Sequence, residues 1–303
     1  MDRRLPCTGE REKSCRTDGR AMARRSLLFS PGDRPEMMRK GPGSGADVVI
    51  FDLEDAVAPD RKAEARDAVA DFLSDPEFDP DCEVCVRVNA DPTVADEDVK
   101  VALSGNPVDS VMLPKAEDAE DAETLAGILA ERGVDAPLIA ICESGAGVLG
   151  AEAVAAADPV DALAFGAEDF SADVGATRTA EGTEVLYARE HVVVAAAAAG
   201  IDAIDTLHTD IEDTEGLAEE TAFALELGFD GKICIHPAQV PVVNEAFTPP
   251  DERIEWARRV LEAAAEAERE GRGVFRVDGE MVDAPLIGRA EQVRERARAA
   301  GAW

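Results

Sequence analysis

The stretch GADVVIFDLEDAVAPDRKAEAR, Gly45 to Arg66, holds a whole structural unit and sets the reading of the chain. Val48 to Phe51 are consecutive apolar residues, mostly β-branched, a run suited to a short strand buried on both faces. The segment PDRKAEARDAVADFL that follows opens on Pro and continues with good helix formers, so it reads as a helix. Between the two stand Asp52, Glu54 and Asp55, three carboxylates at the exit of a strand that has no polar face.

The same order of strand, polar turn and helix recurs along the chain. Apolar runs bounded by turn residues are SLLFS (26–30), DVVIF (47–51), EVCVRV (83–88), SVMLP (110–114), PLIAIC (137–142), ALAFG (162–166), IDAID (201–205) and KICIH (232–236). Helical segments lie between them, including EDAEDAETLAGILAERG after the fourth and DTEGLAEETAFALELG after the seventh. Eight such units predict an α/β fold, a closed (β/α)8 TIM barrel over 23–247, in preference to an open doubly wound sheet. The 303 residues accommodate such a barrel, typically about 250 residues, with an appendage. Thr248 to Pro250 punctuate its end. Residues 248–303 read as an amphipathic helix, the segment VFRVDGEMVDAP and a last helix. This C-terminal extension and lid looks too small to hold its own core, so it is expected to lie on a barrel, its own or a neighbour's. Residues 1–22 read as a disordered extension or a misplaced start.

With 31 Lys and Arg against 64 Asp and Glu, the formal charge is −33. That field repels phosphodiester backbones and anionic lipid surfaces, which excludes nucleic acid and membrane as partners. The acid is spread along the chain, so it reads as a solvated surface built for high salt, a composition that resembles proteins of halophilic archaea. HVVVAAAAAGI, 191–201, is too short for the roughly 18 apolar residues of a membrane span. The opening residues lack the apolar core of a signal peptide, so the expected location is cytoplasmic and the six Cys are expected to be reduced. Cys82 and Cys85 form a lone CxxC, and they read as small buried hydrophobes and not as zinc ligands.

In a (β/α)8 barrel the carboxyl ends of all strands converge on one mouth. Here those ends deliver Asp52, Glu54, Asp55, Arg87, Asn89, Lys115, Glu143, Glu168, Asp169, Asp205 and His236. Any one acid of so acidic a chain could be surface charge; the convergence of all of them points to a site. Glu143 and Asp169 end neighbouring strands, and two carboxylates completed by water and substrate oxygens make a Mg²⁺ site. Arg87 and Lys115, with Arg34 from the first loop, supply positive charge for a substrate carboxylate or a developing enolate. Asp52, Glu54 and Asp55 are too close together all to bind one metal, so some of them should support the site or orient Arg87. His191 and His208 read as packing or helix-end residues, and Tyr187 and Arg189 place their helix near the mouth.

The motifs RSLLFSPGDRPEMMRK, ADVVIFDLEDAVAPDRKAEAR, VRVN, VMLPKAE, ICESGAGV, FGAEDFSADVG, GKICIHPAQ and DGEMVDAP together resemble the citrate lyase β-subunit-like acyl-CoA lyases of the HpcH/HpaI aldolase/citrate lyase superfamily. The resemblance runs from about Arg24 to the C-terminus and is nearest to the branch of malyl-CoA, β-methylmalyl-CoA and citramalyl-CoA lyases. It implies a (β/α)8 barrel that binds Mg²⁺, for which Mn²⁺ can substitute, through Glu143 and Asp169. Arg87 is implied to bind substrate beside the metal, and Asp55 to lie near it. Phe29, Arg34, Lys40, Ile235 and His236 fall where the family contacts substrate and CoA. Asp283 falls on an acid/base supplied by the tail of an adjacent subunit, so a homo-oligomer, trimer or hexamer, is implied. The implied reaction is cleavage of malyl-CoA or β-methylmalyl-CoA to glyoxylate and acetyl-CoA or propionyl-CoA. Alternatives are citramalyl-CoA cleavage to pyruvate, a malate synthase-like condensation, or a citrate lyase β subunit acting within a complex.

Overall fold

A computed structural model describes residues 24–271 and 274–303; the expected extension over 1–22 lies outside them. All eight expected strands are present: β1 (Ser26–Pro31), β2 (Val48–Asp52), β3 (Glu83–Arg87), β4 (Ser110–Leu113), β5 (Leu138–Cys142), β6 (Val160–Phe165), β7 (Asp202–Asp205) and β8 (Gly231–Cys234). Each pairs in parallel with the next, and β8 returns to β1, closing the barrel.

The run Val48–Phe51 shows why the strands carry no polar face. Val48 and Ile50 point inward to the barrel's own cluster, with Leu27, Met112, Ile139, Ile141, Ile204 and Ile233. Val49 and Phe51 point outward, where Phe51 meets Phe72 of the helix Lys62–Leu73 edge-on at 5.4 Å. All four are fully buried, each contributing about 1.5–3 kcal/mol. The amino end of the barrel is closed by charge. Arg24 binds Glu83 at 2.9 and 3.0 Å and Asp161 at 3.0 Å, and Ser110 donates to Glu83.

After the helix Gln239–Phe247, the helix Asp251–Arg269 packs along the last helix, Ala284–Ala299, with a hairpin of β9 (Phe275–Val277) and β10 (Glu280–Val282) between them. Asp278 and Gly279 form its turn with φ of 53° and 87°, the left-handed pair that an Asp-Gly hairpin turn uses. The expectation that this tail lacks a core is corrected. Ala257, Val260, Ala267, Phe275, Val282 and Ala290 form a buried cluster of their own, bordered by Trp256 and Trp303. Arg296 ties the tail to the barrel, donating to the Phe229 carbonyl at 3.2 Å. Among the described residues, no helix is long and apolar enough to cross a membrane.

Candidate active site

The barrel mouth gathers Phe29, Arg87, Ile141, Glu143, Gly166, Ala167, Glu168, Asp169, Thr206, Leu207 and Ile233 around one small cavity. Five residues expected at the site, Phe29, Arg87, Glu143, Glu168 and Asp169, are therefore brought together. Glu143 leaves β5 buried, its Oε1 accepting from the Lys115 N–H at 2.8 Å. Asp169 is exposed in the first turn of the helix Ala167–Val174, where the helix dipole favours an anion. The Thr206 hydroxyl accepts from the Ala167 N–H at 3.1 Å and ties the start of that helix to the loop after β7. Gly166 is required by contact. A Cβ there would lie 2.6 Å from the Glu143 Cβ and 2.7 Å from its Oε2, so any larger residue displaces the carboxylate.

Burial pushes the Glu143 carboxyl up to about 7, and the nearby Asp169 charge adds to the rise against the Lys115 N–H and Arg87. A buried carboxylate with a second acid beside it in one cavity offers the oxygen donors a divalent ion takes. The residues therefore fit a divalent ion held by Glu143 and Asp169. Among the described residues no three His, Cys, Asp or Glu side chains cluster as a metal site, so water and substrate oxygens would complete the coordination.

The sign of the shift gives a prediction. The folded chain holds the Glu143 proton to a higher pH than the unfolded chain does, so its contribution is intact below about 4.5 and fades as pH rises through about 7. Across that range the metal-free chain loses about 3 kcal/mol of stability on going to alkaline pH. Thermal unfolding in chelator should show stability falling between pH 5 and 8. Glu143→Gln should flatten the fall and melt higher than the parent at pH 8; an equal slope in both would refute the assignment.

Arg87 is clamped. Asp52, fully buried, takes its Nε and Nη2 at 2.7 and 2.6 Å and also accepts from the N–H groups of Glu54 and Ala56 at 2.9 Å. Burial works against the guanidinium's charge, but Asp52 holds its pKa above the ordinary value, and its plane lies 4.7 Å from the centre of the Phe29 ring. Glu54 is buried with Oε2 at 3.3 Å from Arg87 Nη1 and Oε1 on the Lys115 ammonium. Burial raises its pKa despite both cations. Two of the three carboxylates after β2 thus serve Arg87. Asp55 is exposed, 3.8 Å from the Lys115 ammonium, and does not line the cavity.

Other strand ends do different work. Asp205 is corrected from the mouth to the space behind the barrel. It is fully buried on the outer face of β7, binding Arg189 at 2.9 Å and Lys232 at 2.8 Å. Arg189 is thereby held away from the mouth, and Tyr187 is exposed. Asn89 donates to the Leu53 carbonyl at 2.9 Å and to Asp98 at 2.6 Å, which locks the loop. Glu168 pairs with Arg178 at 2.9 Å. Arg34 and Lys40 are exposed on the segment after β1, and Ile235 and His236 follow β8, beside β1; none of the four lines the cavity. The Ile235 and His236 N–H groups donate to Gln239 Oε1 at 2.8 and 3.2 Å. Asp283 is exposed and caps the last helix, accepting from the Leu286 N–H. Cys82 and Cys85 are buried, as read from the sequence, as are Cys142 and Cys234, and burial pushes the thiols of Cys85, Cys142 and Cys234 up to about 12. Sequence reasoning missed Gly166, Thr206 and the backbone of Lys115. A Gly directly before Ala-Glu-Asp at a strand exit was the available signal for the first.

The HpcH/HpaI aldolase/citrate lyase family profile matches residues 25–237, and a profile described as C-C bond lyase of the TIM-barrel fold matches residues 183–302. A citrate lyase subunit beta-like protein of Mycobacterium tuberculosis is 42% identical over 275 residues, covering 89% of this chain and 94% of its own. The mitochondrial citramalyl-CoA lyase of Homo sapiens is 37% identical, covering 88% and 84%. The crystal structure of protein CitE from Mycobacterium tuberculosis, in complex with magnesium, acetoacetate and coenzyme A, superposes with a TM-score of 0.74 at 41% identity, over 91% of this chain and 98% of that one. With a profile across most of the barrel and a relative of this identity aligned over nearly its whole length, the chain belongs to the HpcH/HpaI aldolase/citrate lyase family.

Proposed function

We propose that the chain catalyses Mg²⁺-dependent, reversible cleavage of a 3-hydroxyacyl-CoA, taking malyl-CoA or β-methylmalyl-CoA to glyoxylate and acetyl-CoA or propionyl-CoA. The observation that carries the reading is the meeting of Glu143 and Asp169 in one cavity with the clamped Arg87. The related structure that holds magnesium and coenzyme A supports it. Glu143 and Asp169 would hold the Mg²⁺, which supplies positive charge to the hydroxyl and carboxylate oxygens of the substrate and eases loss of the hydroxyl proton.

As that proton passes to water at the open mouth, the C–O bond becomes the carbonyl of the released oxo-acid. The C–C electron pair passes to the thioester as an enolate. Arg87, fixed by Asp52 and Glu54, presents its charge to the anionic oxygens without reorganising. Phe29, Ile141, Leu207 and Ile233 give the cavity apolar walls that limit water. The enolate takes a proton to become the acyl-CoA, and Asp283 of a neighbouring subunit is the acid in this reading.

The similarity to the human citramalyl-CoA lyase favours a second reading, cleavage of citramalyl-CoA to pyruvate and acetyl-CoA. The two differ by one methyl group on the oxo-acid. The test is to give the purified chain malyl-CoA, β-methylmalyl-CoA and citramalyl-CoA separately, with Mg²⁺ in high-salt buffer, and to identify the oxo-acid. Glyoxylate upholds the first reading, and pyruvate as the sole product replaces it with the second. No cleavage of any free CoA thioester would refute both and leave a subunit that works only within a complex.

A further inference from the structure

Among the described residues, Lys115 and Asp278 are the two non-glycine residues with positive φ. Asp278 has a hairpin turn to explain it. Lys115, at φ 54° just past β4, has none, and a long side chain in the left-handed region persists only where its surroundings over-determine it.

Those surroundings are the site itself. The Lys115 N–H donates to Glu143 Oε1 at 2.8 Å, while its ammonium donates to Glu54 Oε1. The other oxygen of Glu54 lies 3.3 Å from Arg87 Nη1. The next residue is fixed as well: the Ala116 N–H donates to the Ile141 carbonyl at 3.0 Å, and a Cβ on Gly147 would come within 2.6 Å of the Ala116 carbonyl. One residue therefore touches the carboxylate read as a metal ligand through its backbone, and the arginine read as the substrate anchor through a single carboxylate.

We propose that Lys115 is a positioning residue that couples the two halves of the site: its left-handed turn sets Glu143, and its ammonium sets Glu54 and, through Glu54, Arg87. The inference rests on the roles given to Glu143 and Arg87 under the proposed function, and its ammonium arm can be cut with the backbone arm left in place. Glycine adopts φ near +54° freely and keeps the N–H, so Lys115→Gly removes the ammonium arm alone.

Lys115→Gly should keep Mg²⁺ affinity, read by calorimetry, within about 3-fold, yet lower kcat/KM by about 10–100-fold, the range for loss of a group that supports a site. In the condensation direction most of the loss should fall on KM for the oxo-acid. Glu54→Gln should behave alike, and the double variant should be no worse than about 2-fold below the weaker single, because both cut one link. Lys115→Arg should recover most of the activity. A separate readout needs no turnover: hydrogen–deuterium exchange of the segment 53–57 in the metal-free chain should quicken in Lys115→Gly and in Glu54→Gln. Multiplying losses in the double variant, unchanged exchange, or normal kcat/KM in Lys115→Gly would each overturn the coupling. If the parent chain cleaves no thioester, the proposed function fails, while exchange and calorimetry still decide whether the brace exists.

Discussion

Glu143→Gln is expected to lower kcat/KM on the order of 10³-fold, the upper range for removing one group that stabilises developing charge, and to abolish the Mg²⁺ dependence of what remains. The fold should survive, because the substitution keeps the shape and removes a charge that the metal-free protein holds at a cost. Asp169→Asn should cost as much activity, with the opposite effect on stability. Asp169 is an exposed acid in the first turn of its helix, where a negative charge is favoured by about 0.3–1 kcal/mol. The pair is therefore diagnostic: both inactive, one melting higher at pH 8 and the other slightly lower. Steady-state kinetics across a Mg²⁺ titration, with thermal melts of the same samples, check it. Near-normal activity with unchanged Mg²⁺ dependence in either variant would sink the metal assignment.

The barrel was legible because each strand is buried on both faces, which turns a strand into an unbroken apolar run such as Val48–Phe51. Helix starts were legible where a carboxylate caps them. Asp118 and Asp121 close a capping box at Ala119–Glu131, and Asp213 caps Thr214–Leu227. The site was partly legible for the same reason as the fold: strand ends converge, so Glu143, Arg87 and Asp52 could be placed together from their order alone. Asp205 shows where that shortcut fails. Strand alternation puts Ile204 inside the barrel, which turns Asp205 outward to Arg189 and Lys232. Convergence says that a residue reaches the mouth, while alternation decides which face it serves. Lys115 was legible as a charge at the mouth, but its left-handed conformation was not, since no local preference marks a lysine for that region and only its contacts with Glu143 and Glu54 define it. The core of the tail was missed because its apolar residues are thinly spread over two helices and a hairpin, and become a cluster only when these meet.

Asp283→Asn chains and Arg87→Ala chains, each nearly inactive alone, are expected to recover activity when refolded together. In its own chain Asp283 is exposed, lies two residues after the exposed Met281 of β10, and does not line the cavity that holds Glu143 and Asp169. A proton donor must come within hydrogen-bond reach of the atom it serves, so the acid role proposed for Asp283 requires that it meet the mouth of another copy. Asparagine retains the capping oxygen that accepts from Leu286, so the helix Ala284–Ala299 stays anchored and the loss reports on the acid alone. In a closed ring where each site takes Arg87 from one subunit and Asp283 from the next, equal mixing leaves both intact in about a quarter of the sites. Recovery to roughly that fraction of parental activity, with mixing verified by mass tags, supports action in trans. Full activity of Asp283→Asn alone would show that the residue is one more solvated acid, and verified mixing without recovery would return it to its own subunit's site.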